Sequence, residues 1–293
     1  MRCTIIQALL CASLLVTSFV SAQSTISDRP LELSVGNGIW TALLPAYELG
    51  INTNASPAFR DNLDDVGYIG QLKLVRRFLG TRTSFETKGH YAFAESISTT
   101  DVIDVDVPNP VNGASNALTG GRTHLRSKIN HYGIDVALRD TWRTRFGGLS
   151  AGAAFSYMGF DQNFDVDYGA DQLLIEDLDT DFLGGKAIFG WDGCLRSRPT
   201  NVDLAIGIYD MDVNYRFSGQ TIGGSATQAR NKTVYTIEPS FTTHTFFRSY
   251  QVNWTFGAMY ISDMPVISHN VGWLATLDTD DAVTLNAMIE IML

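Results

Sequence analysis

The sequence predicts an all-β chain, a transmembrane up-and-down antiparallel β-barrel of about ten strands. Three observations predict it. Apolar and polar residues alternate at period two through most of the chain, which gives each strand one apolar and one polar side. Most of these segments are about 11–17 residues long, whereas globular strands average about 5–6 and membrane-crossing strands need about 9–11. The connections alternate long and short along the whole chain.

The first 22 residues stand apart. Met1-Arg2 is a positive start, Ile5 to Val20 is an uncharged apolar run, and Val20-Ser21-Ala22 supplies small residues before Gln23. That is the layout of a cleaved signal peptide, and the apolar run is short for a membrane anchor. The expected organisation is residues 1–22 as signal, 23–30 as a short periplasmic segment and 31–293 as the barrel. Removing the signal removes one base and no acid, so a chain of net charge −10 becomes slightly more acidic. This disfavours nucleic acid and anionic surfaces as partners. Cys3 and Cys11 leave with the signal and Cys194 stays alone. No disulfide framework and no cysteine metal site follow.

The strands come in order. A weak first one spans Leu31 to Leu43. Val66 to Phe78 carries Val66, Tyr68, Leu72, Leu74 and Phe78 on one side. Thr83 to Phe93 carries Phe85, Tyr91 and Phe93. Lys128 to Trp142 carries Tyr132, Ile134, Val136, Leu138 and Trp142. Leu149 to Tyr157, Leu183 to Trp191, Tyr235 to Phe247, Tyr250 to Tyr260 and Val283 to Leu293 repeat the pattern. In Val202 to Phe217 the apolar phase changes from even to odd positions at Tyr209, which predicts a β-bulge there. Asn270 to Leu277 offers a further strand, closed by the turn at Asp278–Asp281, and two extra strands would make twelve in all. The long connections are 44–65, 97–127, 161–179, 218–230 and 262–281. Trp40, Tyr68, Phe78, Trp142, Tyr157, Trp191, Phe247 and Tyr250 are placed to form aromatic girdles at the two membrane surfaces. A soluble barrel with its apolar face inward is the competing reading, and it leaves the alternating connections unexplained.

In signal, alternation and loop lengths, residues 31–293 resemble the Gram-negative outer-membrane β-barrel proteins, and porin-like ones in particular. The resemblance implies short periplasmic turns, five long external loops and an even strand count. Its location would be the outer membrane, and its partners outer-membrane lipid, the assembly machinery and small solutes or ions. The chain departs from such proteins at its end, Glu290-Ile291-Met292-Leu293, where an aromatic residue, usually Phe, is common.

If the apolar sides meet lipid, the polar sides line the lumen. They carry Lys73, Arg77, Glu86, Lys88, His90, His131, Asp135, Arg139, Lys186, Glu238, His244 and Glu290. Mixed charge there predicts a porin-like passive channel for ions or small solutes through a narrow lumen, with a closed lumen of paired acids and bases as the other reading. The alternative role is a non-conducting structural or adhesive protein acting through its external loops. The most acidic of these holds Asp161, Asp165, Asp167, Asp171, Glu176, Asp177, Asp179 and Asp181 with no base. Its spacing is not that of a calcium loop, so a solvated acidic loop is expected.

No enzyme, cofactor or metal is expected. Gly148-Leu149-Ser150-Ala151-Gly152 matches G-x-S-x-G, but a strand follows it where a nucleophile elbow needs a helix. Gly184-Gly185-Lys186 lacks the rest of a phosphate loop. The omptin proteases are ten-stranded barrels with an Asp pair and an Asp-x-His pair. Asp104/Asp106 and Asp210/Asp212 recur here, yet none of the five histidines has Asp two residues before it. The histidines also lack metal-ligand spacing.

Overall fold

The computed structural model describes residues 31–293 except 52–56, 62–64, 103–104, 109–114, 119–120, 169–170, 196–197, 220–223, 248–249 and 272–273. The signal segment 1–22 and the segment 23–30 lie outside the described residues. The strands are β1 (Leu31–Leu43), β2 (Tyr47–Ile51), β3 (Pro57–Asp61), β4 (Val66–Arg77), β5 (Thr83–Val102), β6 (Val105–Pro108) and β7 (Ser115–Leu118). They continue with β8 (Gly121–Thr144), β9 (Gly147–Tyr168), β10 (Asp171–Leu195), β11 (Arg198–Gly219), β12 (Gly224–Phe247), β13 (Tyr250–Val271) and β14 (Leu274–Met292).

Ten of these close a ring in the order β1, β4, β5, β8, β9, β10, β11, β12, β13, β14, every neighbour antiparallel. The first and last strands seal it, with ten consecutive pairs from Ser34↔Met292 to Leu43↔Val283. A closed ring leaves no edge at membrane depth, where an unpaired backbone group has no water to bond. Residues 270–271 end β13 and residues 274–277 begin β14. They do not add an eleventh and twelfth strand to the ring.

Six strands of the ring run 22 to 25 residues, about twice what a bilayer needs. Much of what the sequence reads as long loops is strand. Residues 161–168 and 171–181 continue β9 and β10, paired through Asp161↔Asp179 and Asn163↔Asp177. The physical reason lies in the burial pattern. On β9 the outward Leu149, Ala151, Ala153, Phe155 and Tyr157 give way to outward Asp161, Asn163, Asp165 and Asp167. The inward Ser150, Ala154 and Ser156 give way to buried Met158, Phe160, Phe164 and Val166. The pleat does not change phase; the apolar side does. Water replaces lipid outside the wall, so above that level apolar residues gain by pointing in.

The same exchange explains Tyr209. Gly185↔Ile208, Gly184↔Tyr209, Leu183↔Asp210 and Phe182↔Met211 are consecutive pairs, so the expected bulge is absent. Ile208 points out to lipid, whereas Tyr209, Met211, Val213, Tyr215 and Phe217 are buried inside. Register shifts on the ring occur elsewhere, between Gln172 and Leu174 on β10 and between Ile261 and Met264 and Ser268 and Val271 on β13.

A belt of outward tyrosines marks the level of exchange: Tyr68, Tyr91, Tyr132, Tyr157, Tyr235 and Tyr260. Tyr91 donates to Asn130 at 2.7 Å and Tyr157 to Asp181 at 2.6 Å. Phe78, Trp142, Phe246, Phe247 and Tyr250 are exposed at the other end of the apolar belt. Trp40 belongs to neither girdle. It lies at the inward parity of β1 and is buried.

Candidate functional site: the barrel lumen

All twelve lumen positions read from the sequence fall on the inward parity of their strands, and the structure arranges most of them in tiers. At the short-turn end Arg77 pairs with Glu32 at 3.2 Å, and His244 meets Asn253 at 2.8 Å. Above them Arg139 reaches from β8 across β9 and β10 to β11. Its Nε donates to Ser150 at 2.9 Å, and its Nη2 bonds Asp203. A Cβ at Gly190 would run into both that guanidinium and the Asp203 carboxylate, so β10 needs glycine there. Glu86 adds Lys73 at 3.4 Å and Arg139 at 3.9 Å.

The next tier centres on Lys186, whose Nζ lies 3.0 Å from Asp135 and 2.9 Å from Glu238. Lys88 stands 3.6 Å from Asp135, and Ser156 donates to the same carboxylate at 2.6 Å. Glu290 accepts from Thr255 at 2.8 Å and from Gln71 at 3.3 Å. Acids and bases are thus matched across one to three strands of the wall, as buried charges must be.

The polar tiers end at two histidines. His90 and His131 meet Nε2 to Nε2 at 2.9 Å. His131 stacks on Phe160 at 4.0 Å between ring centres, with Trp40 on hand at 6.0 Å. Phe160, Phe182 and Tyr209 follow in edge-on contacts of 6.1 and 6.4 Å. From there Met158, Met211, Val213, Val234, Leu125, Ile129, Leu178 and Ile261 belong to one buried apolar cluster.

One acid sits inside that cluster. Glu176 is fully buried, which corrects its place among the acids of a solvated loop. Its two carboxylate oxygens accept from Tyr47 and Tyr215, each at 2.5 Å, and Tyr47 stacks on Phe164 at 4.5 Å. Burial and the Glu176 carboxylate hold the Tyr47 phenol well above its ordinary pKa. The segment after β1 is thereby tied into the barrel mouth. Asp161, Asp165, Asp177 and Asp181 are half-exposed and Asp167 is exposed on the outer wall, whereas Asp179 is buried against Arg216 at 2.7 Å. The side chain of Asp171 lies outside the described residues.

The sequence reading missed Glu32, Asp203, Tyr47 and Tyr215. Asp203 carried a usable signal, since it shares the polar parity of Asn201 on a strand already recognised. Tyr47 carried none, because it sits in a segment with no alternation.

No family model matches the chain, and no curated protein matches it. Solved structures do resemble it. The translocator domain of autotransporter NalP from Neisseria meningitidis is 7% identical with a TM-score of 0.48, covering 99% of this chain and 97% of that one. The outer membrane protease OmpT from Escherichia coli is 8% identical with a TM-score of 0.48, covering 93% and 98%. A FadL homologue from Pseudomonas aeruginosa is 6% identical with a TM-score of 0.27, covering 89% of each.

The class is defined by this chain's own closed ring, outward apolar belt and bordering aromatic residues: it has the architecture of an outer-membrane β-barrel. The comparison with OmpT corrects one expectation. A protease stands among barrels of this build, so the absence of enzymatic activity does not follow from the fold and is withdrawn.

Proposed function

We propose that this chain is an outer-membrane barrel with a closed lumen, and that its working surface is the water-facing barrel standing beyond the membrane. The observation that supports this is the continuous apolar cluster above His90 and His131, with Phe160, Phe182, Met211 and Leu178 fully buried in it. Moving a bare ion into such surroundings costs on the order of 20 kcal/mol in the idealised limit. Porin-like passage would require that packing to part. Export through a cleaved signal and residence among outer-membrane lipids belong to the same proposal.

The test is reconstitution of the folded, heat-modifiable protein into planar bilayers. The expected record is a baseline without discrete current steps. Steps whose ion selectivity changes with Lys73→Ala would sink the closed-barrel reading and favour passive transport.

A further inference from the structure

Between the tyrosine belt and the lower girdle the outward wall is apolar almost throughout. Among the described residues it carries a single carboxamide, that of Asn37 on β1, and this side chain is exposed. Its Oδ1 accepts from Tyr68, and neither N–H of the amide meets an acceptor among the described residues. The outward Thr243 and Thr245, by contrast, turn their hydroxyls to the carbonyls of Pro199 and Val252.

Depth makes the amide costly. Asn37 pairs with Gly70, two residues below Tyr68 on β4, and with Ile289, six residues below Val283, the partner of Tyr260. The mean of the two, about four residues, sets Asn37 about 10 Å below the belt at the usual strand tilt. Lipid ester groups stay at the edge of the hydrocarbon, and no water is present at that depth. An N–H placed there gains by meeting an acceptor on another protein surface.

The relief on the two sides of Asn37 differs. On β4 and β5 the outward Gly70 and Gly89 leave a groove. A Cβ at Gly70 would stand 3.8 Å from the Asn37 Oδ1, so glycine there keeps the amide uncovered. On β14 the outward Leu285, Ile289 and Ile291 are exposed as a ridge. Glycine inside a strand marks a place where another backbone can come close. A twofold axis normal to the membrane and passing beside β1 lays the ridge of one copy along the groove of the other, and it sets Asn37 against Asn37. A carboxamide is its own complement. Each Nδ2–H donates to the other Oδ1, which keeps a free lone pair after accepting from Tyr68.

We propose that the β14–β1–β4 wall binds a second copy of this chain side by side in the membrane, with the two Asn37 carboxamides paired at the centre. This rests on the membrane orientation of the barrel and not on whether the lumen is closed.

The experiment is sedimentation equilibrium of the full protein in density-matched detergent over a range of protein-to-detergent ratios. A monomer–dimer equilibrium that follows the ratio is expected. Asn37→Leu should raise the dissociation constant about tenfold or more, the loss of two hydrogen bonds in an apolar medium. Asn37→Gln, which keeps the carboxamide, should restore most of the association. Gly70→Leu should weaken it by filling the groove. Ala187→Leu adds comparable bulk to β10, five strands around the ring, and should change nothing. Asn37→Ser serves if Asn37→Leu loses its heat-modifiable fold. A heat-modifiable protein that stays monomeric at every ratio overturns the proposal alone. So does undiminished association in a folded Asn37→Leu or Asn37→Ser, or an equal loss in Ala187→Leu. A protein that is not heat-modifiable removes the membrane reading and this proposal with it.

Discussion

Below the tyrosine belt the barrel is polar inside and apolar outside; above it, the same strands are apolar inside and acidic outside. β11 shows both within 22 residues. Its inward Asn201, Asp203, Tyr209, Met211 and Val213 run from hydrogen-bonding and ion-pairing groups to a core, with no break in register. The comparison teaches that a strand has no intrinsic core side. The solvent against each stretch of wall decides which face is buried, and one antiparallel sheet serves both cases.

The strongest break of this comparison exchanges the two interiors on that one strand. Asp203→Val removes the partner of the buried Arg139, and Val213→Asp puts an unpaired acid into the apolar cluster. Each is expected to cost about 3–5 kcal/mol. Urea unfolding in detergent checks this, and a loss below about 1 kcal/mol in either variant would mean that water already fills that tier.

The outer face is tested by one substitution placed on either side of the belt. Phe155→Lys should cost about 2–4 kcal/mol in lipid, the range found for a base near the bilayer midplane. Asn163→Lys, at the same parity of β9 but in water, should stay within about 0.5 kcal/mol. Refolding equilibria in lipid vesicles read both. Equal costs would mean that the belt does not mark the membrane surface.

Smaller effects sharpen each half. Tyr47→Phe takes one donor from buried Glu176 and should lose about 1–3 kcal/mol. Faster protease cleavage within 44–65 would accompany it, and unchanged cleavage would deny that this tyrosine ties the segment down. Arg77→Ala removes an ion pair whose base is half exposed at the barrel end. Its expected cost is about 0–1 kcal/mol. A thermal shift matching that of Asp203→Val would show that depth in the lumen does not matter.

Reading the sequence alone located the ten ring strands and put twelve polar residues at the inward parity while passing over Glu32 and Asp203, because lipid outside the wall keeps one apolar and one polar residue in strict turn. It failed where lipid ends. Asp161 to Asp167 still alternates, but its apolar members Phe164 and Val166 lie on the other face, and a stretch rich in Asp reads as loop. The exchange at Tyr209 imitates a bulge for the same reason. Trp40 was misplaced because an aromatic near a strand end suits either a girdle or a core.

The sequence by itself determined the barrel class, the strand phase and the charges of the inner wall, since those depend on local period and composition. Only the tertiary structure decided that Lys186 lies between Asp135 and Glu238, that Glu176 is gripped by Tyr47 and Tyr215, and that apolar side chains close the outer lumen. Those contacts join residues 39 to 129 positions apart or meet across the barrel, and a period-two pattern holds no information about which strand lies opposite which.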